Sequence, residues 1–286
     1  MHRMIQYADA TVRPQVRRMW KDVFGDTDAF MDLYFRDKYR DDRTLVYIEE
    51  GAVVASLQLL PYDFSFCGTE IPAGYYSGVC TLPEARGKGY MSALMKASLF
   101  ELQRKNIALA LLVPAEQELT SFYGSFGFST TFDAGNIDLP SLKELSGRWP
   151  GDLFGAYREF DSWFRANDMT VQKSFDDFWV IMEDGRLFDF PAARSLPGMA
   201  RIIDAGSLLR IFEKAYPDIS IALSITDSLL ERNCIEFAAG KCRDVPYPVD
   251  IAGLAQLLLG YHTSEKAEPL RAAFPEKTPQ MHFMLE

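Results

Sequence analysis

The sequence predicts an α/β protein of mixed, α+β character, with a larger N-terminal unit on a mixed central sheet and a smaller C-terminal α+β unit. Three observations lead there. Apolar runs separated by turn residues between positions 44 and 81 read as hairpins. A strand, a glycine-containing turn and an amphipathic helix then follow one another directly, with a further apolar run behind them. Periodicity fades after position 135 and resumes near Gly198, so the expected divisions are 1–135, a bridge over 136–197, and 198–286.

In order, residues 4–7 read as a short strand, Thr11 as a candidate helix cap, and Val16, Met19, Trp20 and Val23 as one face of a helix that Gly25-Asp26 ends. Residues 29–35 repeat the helical pattern with aromatic side chains, and Asp41-Asp42 turns the chain toward strands. Runs 44–49 and 53–62 flank Glu50-Gly51, a hairpin signal, and 64–71 reads as a strand pair around Gly68-Thr69. A strand over 75–81 leads into a turn over 83–89 and a helix carrying Met91, Leu94, Met95, Leu99 and Leu102 on one side. Residues 108–113 are apolar throughout, as a strand covered on both faces is, and Pro114 ends them. A short helix over 117–123 and a strand over 128–132 complete the unit. Across the bridge, Gly147, Pro150, Gly151 and Gly155 read as breakers, and Trp163, Phe164, Phe175, Phe178 and Trp179 as core or interdomain contacts. The last unit reads as a helix over 205–215, strands over 219–226 and 234–239, and a helix over 251–259.

Forty acidic against 30 basic side chains give a formal charge of -10, which argues against an extended phosphate-binding surface and hence against nucleic acid as a partner. An acidic surface suits cationic ligands and equally serves solubility. Cys67, Cys80, Cys234 and Cys242 lack the spacing of zinc or redox motifs, so they read as buried reduced thiols with no metal. Neither a signal-peptide core nor a run of membrane-spanning length is visible, so a cytoplasmic location with no membrane partner is expected.

The chemistry-bearing stretch is Arg86-Gly87-Lys88-Gly89. A helix that opens on a glycine turn presents unpaired N–H groups in one direction, where a pyrophosphate can accept them, and the two basic residues add charge at the positive end of the helix dipole. Alone, the same residues also describe an ordinary basic turn. Tyr123, in Ser121-Phe122-Tyr123-Gly124-Ser125-Phe126-Gly127-Phe128, has the helical spacing of a core aromatic and the phenol of a proton donor.

Val79, Pro83 and Arg86-Gly87-Lys88-Gly89 resemble the acetyl-CoA signature of the GCN5-related N-acetyltransferase (GNAT) superfamily, with Met91 where a small residue is usual. Phe122 through Phe128 is similar to that family's Phe-Tyr-x-x-x-Gly-Phe element. The resemblance implies a GNAT fold and direct transfer from acetyl-CoA, as co-substrate, to the amine of a small, cationic acceptor. It implies Tyr123 as general acid, and a cofactor site at Val79, Thr81, Arg86, Gly87, Lys88, Gly89 and Tyr90, with backbone at Gly78 and Cys80 along the pantetheine arm. The alternative is a non-catalytic acyl-CoA- or lipid-binding protein.

The order of units, with Gly198-Met199-Ala200-Arg201-Ile202-Ile203-Asp204, Asp227, Asn233 and residues 250–260, is similar to the enhanced intracellular survival (Eis) type. That likeness implies a sterol-carrier-protein-like last unit, self-association, a bridge able to hold part of a second acetyltransferase-like unit, and a C-terminal carboxylate acting as base. Here it would belong to Glu286, with Phe283 and Leu285 packing it in place. His2, the one histidine of the first unit, is not favoured as base. Tyr34, Phe35 and Tyr39 with Asp28, Asp32 and Asp37 have two readings: an acceptor wall, or packing residues with a solvated acidic face.

Overall fold

The computed structural model describes residues 3–135, 141–191, 196–240 and 245–284. The first part runs β1 (Arg3–Tyr7), α1 (Arg13–Phe24), α2 (Asp28–Asp37), β2 (Thr44–Glu49), β3 (Ala52–Phe66), β4 (Thr69–Thr81), α3 (Tyr90–Arg104), β5 (Leu109–Leu112), α4 (Leu119–Gly124) and β6 (Ser129–Phe132). Then come α5 (Leu142–Arg148), α6 (Leu153–Arg165) and α7 (Phe175–Leu187). The last part is β7 (Gly198–Ile202), α8 (Ala205–Ala215), β8 (Ile221–Thr226), β9 (Ile235–Ala239), β10 (Tyr247–Asp250), α9 (Ile251–Leu259) and α10 (Leu270–Ala273).

Two tight turns shape the front of the large sheet. Glu50 and Gly51, at φ 52° and 85°, join β2 to β3, and Cys67 and Gly68, at φ 51° and 71°, join β3 to β4; paired positive φ values match the twist of the strands they connect. The second hairpin is longer than the turn residues in its sequence suggest, because β3 and β4 run through Pro61 and Pro72 without a break. Each proline lies where the outer neighbour has stopped: β2 ends opposite Gln58, and β5 begins opposite Ala73. The missing N–H therefore costs no rung of an outer ladder.

The large sheet has the order β1-β2-β3-β4-β5-β7-β6, with β4 and β5 parallel and the other pairs antiparallel. The sequence reading puts residues 198–204 at the head of the C-terminal unit. In the structure β7 lies inside the large sheet instead, between β5 and β6, with all five residues buried. A short strand covered on both faces has no alternation that would say which sheet it joins. The three-stranded sheet β10-β8-β9 packs with α8 and α9, and one apolar cluster runs from Phe64 and Tyr75 through Ile202 to Leu209, Leu223 and Leu258.

Residues 141–187 are three well-capped helices. Ser141, Asp152 and Ser174 accept from the third N–H of α5, α6 and α7, and Ser174 forms a reciprocal capping box with Asp177. Gly155 breaks nothing. It sits in the first turn of α6, where a Cβ would come within 2.4 Å of the Trp149 ring. Phe160, Phe164 and Phe178 form the core of this layer, whereas Trp179 is exposed, and α7 packs on α2.

The tail returns across these helices. Gln280 N–H donates to the Met169 carbonyl, Phe283 packs on Phe160 and Phe164, and Lys173 Nζ lies 3.0 Å from Met284 Sδ. Lys173 is 1% exposed, and burial pushes its ammonium down from 10.5 to about 7, against the attraction of Asp177. A base depressed in the folded state destabilises fully below the folded value, and the penalty fades as pH rises from the folded value to the unfolded one. Lys173→Met should therefore raise Tm more at about pH 6 than at about pH 10; equal gains at both would contradict the buried neutral amine.

Candidate functional site

Gly87 and Gly89 are in the left-handed region, at φ 74° and 83°, and a Cβ on either would meet nothing within 4 Å. Conformation, not crowding, demands glycine there, and the side toward the ligand stays open. Gly89 is the N-cap of α3 and has no side chain to satisfy the first-turn N–H groups, which leaves the positive end of the helix uncapped for an anion. Arg86 is exposed and donates from Nε to the Thr81 carbonyl at 3.4 Å. Lys88 is exposed and lies outside the cleft lining. Tyr90 lines the cleft while its ring is buried against Tyr47 and its hydroxyl bonds Glu49.

The cleft has a volume of 690 Å³, with Val79, Cys80 and Thr81 along one side and Arg86, Gly87, Gly89 and Met91 at the head of α3. It exists because β4 and β5 part. Their ladder covers Ala73 to Tyr75 on β4, and β4 then continues to Thr81 with no strand partner on that side among the described residues. A bulge sharpens the divergence: Ser56 pairs with Cys80 and Gln58 with Ser77, so β4 spends one residue more than β3. Gly78, at φ 57°, carries the bulge, and the Trp20 ring lies where its Cβ would be, 1.9 Å away. Trp20 is held by donation from Nε1 to Ser56 Oγ at 2.9 Å.

Tyr123, at the end of α4, is 5% exposed and lines this cleft. Burial first, and the Cys80 thiol second, push its phenol up to about 12. Its hydroxyl has no hydrogen-bond partner among the described residues, so the proton is held and available.

A second pocket of 290 Å³ adjoins the first, walled by Trp20, Phe24, Phe30, Tyr34 and Tyr75, with Asp26 as its carboxylate. Phe24, Val79, Leu119 and Tyr123 line both, so Tyr123 stands at their junction. Burial raises the Asp26 carboxyl above its ordinary value. Asp26 is absent from the sequence-derived candidates because an Asp beside Gly25 reads as a helix end; its signal exists only once α1 and α2 fold back on β4.

The two readings of the aromatic and acidic cluster divide residue by residue. Tyr34 is a wall, held by its hydroxyl on Gln58 Oε1 at 2.9 Å and Ser77 Oγ at 2.7 Å. Phe35 and Tyr39 stack on each other at 4.4 Å and back Trp20 from behind. Asp28, Asp32 and Asp37 pair with Lys21, Arg17 and Arg36 and do not line this pocket. Glu286, Leu285, Cys242 and His2 lie outside the described residues. Met284, the last described residue, contacts Lys173, whose Nζ lies 4.7 Å from the Tyr62 ring, and Tyr62 meets Tyr75 of the second pocket. Of the thiols, Cys80 is buried, Cys67 half-buried and Cys234, against expectation, exposed, in the turn just before β9.

Residues 4–131 match the acetyltransferase (GNAT) domain family. The matched region contains the glycine turn, the bulge and Tyr123, and stops short of β7. The whole chain shares its fold with solved structures. A GCN5-related N-acetyltransferase from Anabaena variabilis ATCC 29413 is 16% identical, with a TM-score of 0.65 over 98% of this chain and 99% of that one. One from Kribbella flavida is 17% identical, with a TM-score of 0.65 over 98% and 97%. Eis1 from Mycobacterium abscessus is 14% identical, with a TM-score of 0.63 over 98% of each. At such identities the likeness is one of fold. No curated protein sequence matches the chain. No helix among the described residues is long and apolar enough to cross a membrane.

The close approach at Gly78 is testable. Gly78→Ala should cost about 1–3 kcal/mol through overpacking against Trp20, read as a lowered denaturation midpoint; unchanged stability would mean that the bulge can shift away.

Proposed function

We propose that the protein is an acetyl-CoA-dependent N-acetyltransferase acting on the amine of a small cationic acceptor. The observation that carries this reading is the position of Tyr123, a protonated phenol where two clefts of different chemistry meet. One cleft offers an uncapped helix N-terminus and the unpartnered edge of β4, features that suit a pyrophosphate and an extended amide-bearing arm. The other offers aromatic faces and one carboxylate, which suit an amine that arrives as an ammonium.

Acetyl-CoA supplies a thioester acyl group. The head of α3 and the β4 edge from Gly78 to Thr81 hold the donor, and Trp20, Phe24, Tyr34 and Asp26 hold the acceptor. A carboxylate first takes a proton from the ammonium and frees the nitrogen lone pair; as the C–N bond forms and the C–S bond breaks, Tyr123 gives its proton to the departing sulfur and is reprotonated by the second proton that the nitrogen sheds. Asp26 is the carboxylate of the second pocket among the described residues, and the carboxylate of Glu286 is the base that the Eis resemblance implies. The fold likeness to Eis1 supports the Eis-like reading of the C-terminal unit and keeps the Glu286 expectation alive. A lipid-binding role for that unit has no observation in its favour, since Leu208, Leu209, Leu223 and Leu258 are buried against one another.

The experiment is release of free thiol from acetyl-CoA across polyamines, aminoglycosides and basic peptides. Tyr123→Phe should lower kcat by on the order of 10²-fold with donor affinity kept; retained binding with no turnover by either protein would favour the non-catalytic alternative. Asp26→Asn should raise KM for cationic acceptors. If Asp26 is the base, kcat falls in the unsubstituted enzyme as pH drops through a value raised above that of an ordinary aspartate, and the Asn variant lacks that limb. Removing Leu285 and Glu286 tests the other carboxylate in the same assay.

A further inference from the structure

Arg201 has no exposed surface and lies on β7, between β5 and the edge strand β6 of the large sheet. A guanidinium in such a place persists only if every donor direction is answered. Nη2 donates to both oxygens of Asp227, at 2.8 and 2.9 Å, and Nη1 to the Ile202 carbonyl at 2.7 Å. Nε donates at 2.5 Å to the carbonyl of Phe126, in the turn that follows α4. Asp227 is in turn fixed by the N–H groups of Leu229 and Leu230 and by Asn233 Nδ2.

The Phe126 turn is the one that carries Tyr123. The N–H groups of Phe126 and Phe128 donate to the Tyr123 carbonyl at 2.9 and 3.4 Å. Gly127, at φ 82°, lets the guanidinium come close, since a Cβ there would stand 3.2 Å from Arg201 Nε. The Tyr123 hydroxyl has no hydrogen-bond partner among the described residues, so its position depends on ring packing and on this backbone.

We infer that Arg201 is a positioning residue: through the Phe126 carbonyl, it transmits the fixed geometry of the C-terminal unit to the turn that aims the Tyr123 phenol into the junction of the two clefts. The inference rests on Tyr123 as general acid. Arg201 is not among the residues that line the donor cleft, so its removal should spare acetyl-CoA affinity.

The test is a kinetic cycle in the full chain. Arg201→Met with Asp227→Leu removes both charges together, which avoids stranding one of them. This pair should lower kcat about 10- to 100-fold, the cost of misplacing a reacting group by about an ångström, with KM for acetyl-CoA unchanged. Combined with Tyr123→Phe, it should cause no further loss, because the two changes act through one group. If that pair does not fold, Arg201→Lys is read in the same cycle; it keeps a charge for Asp227 and gives up the Nε donor. Losses that multiply in the Tyr123→Phe background would mark Arg201 as merely structural and overturn the inference alone. An unchanged kcat for Tyr123→Phe by itself would overturn the general-acid reading and the inference with it.

Discussion

β4 has a neighbour on both sides for three residues and on one side thereafter, and nearly everything at the site follows from that parting. Were the β4–β5 ladder to continue, the amides that border the cleft would be spent on it, and the head of α3 would face a closed sheet. The divergence is kept open from within. The bulge at Gly78 turns the strand, Trp20 fills the space that a side chain there would need, and Ser56 holds the indole. Trp20 is also a wall of the second pocket, so the side chain that supports the bulge also shapes the space beside it.

Charge is arranged around this wedge by burial more than by number. The chain carries an excess of acidic residues, yet among the described residues the pocket has a single lining carboxylate, Asp26, whose proton affinity is raised because water is partly excluded from it. The conspicuous acids of α2 are occupied by exposed cations instead. The phenol of Tyr123 is made a poorer acid by the same desolvation, which keeps it a donor throughout the physiological range.

Local chemistry was the legible part of the sequence. Glu50-Gly51 announces a two-residue turn because its backbone needs positive φ, and Arg86-Gly87-Lys88-Gly89 announces a helix start because glycine turns and uncapped helices leave the same marks wherever they occur. What stayed hidden depends on pairing across long separations. Asp26 becomes a pocket residue through the folding of α1 and α2 onto β4. The helices over 142–187 were obscured because Gly147 and Gly155, read as breakers, are helical residues, one of them accommodating Trp149. The prolines of the long hairpin likewise look like strand ends until the lengths of the outer strands are known.

The interposition of β7 also bears on how such a molecule can be made. Within the large sheet, β6 is joined to the other strands through β7 alone among the described residues, and β7 is separated from β6 by some sixty residues of chain. A nascent chain that has emerged as far as residue 135 holds the glycine turn, the bulge and the tyrosine, but its sheet has a vacant row between β5 and β6 that a later segment must enter. The large sheet can therefore close only after the ribosome has passed residue 202, and an evolutionary exchange that cut the chain just past residue 131, where the family match ends, would sever a sheet instead of a linker.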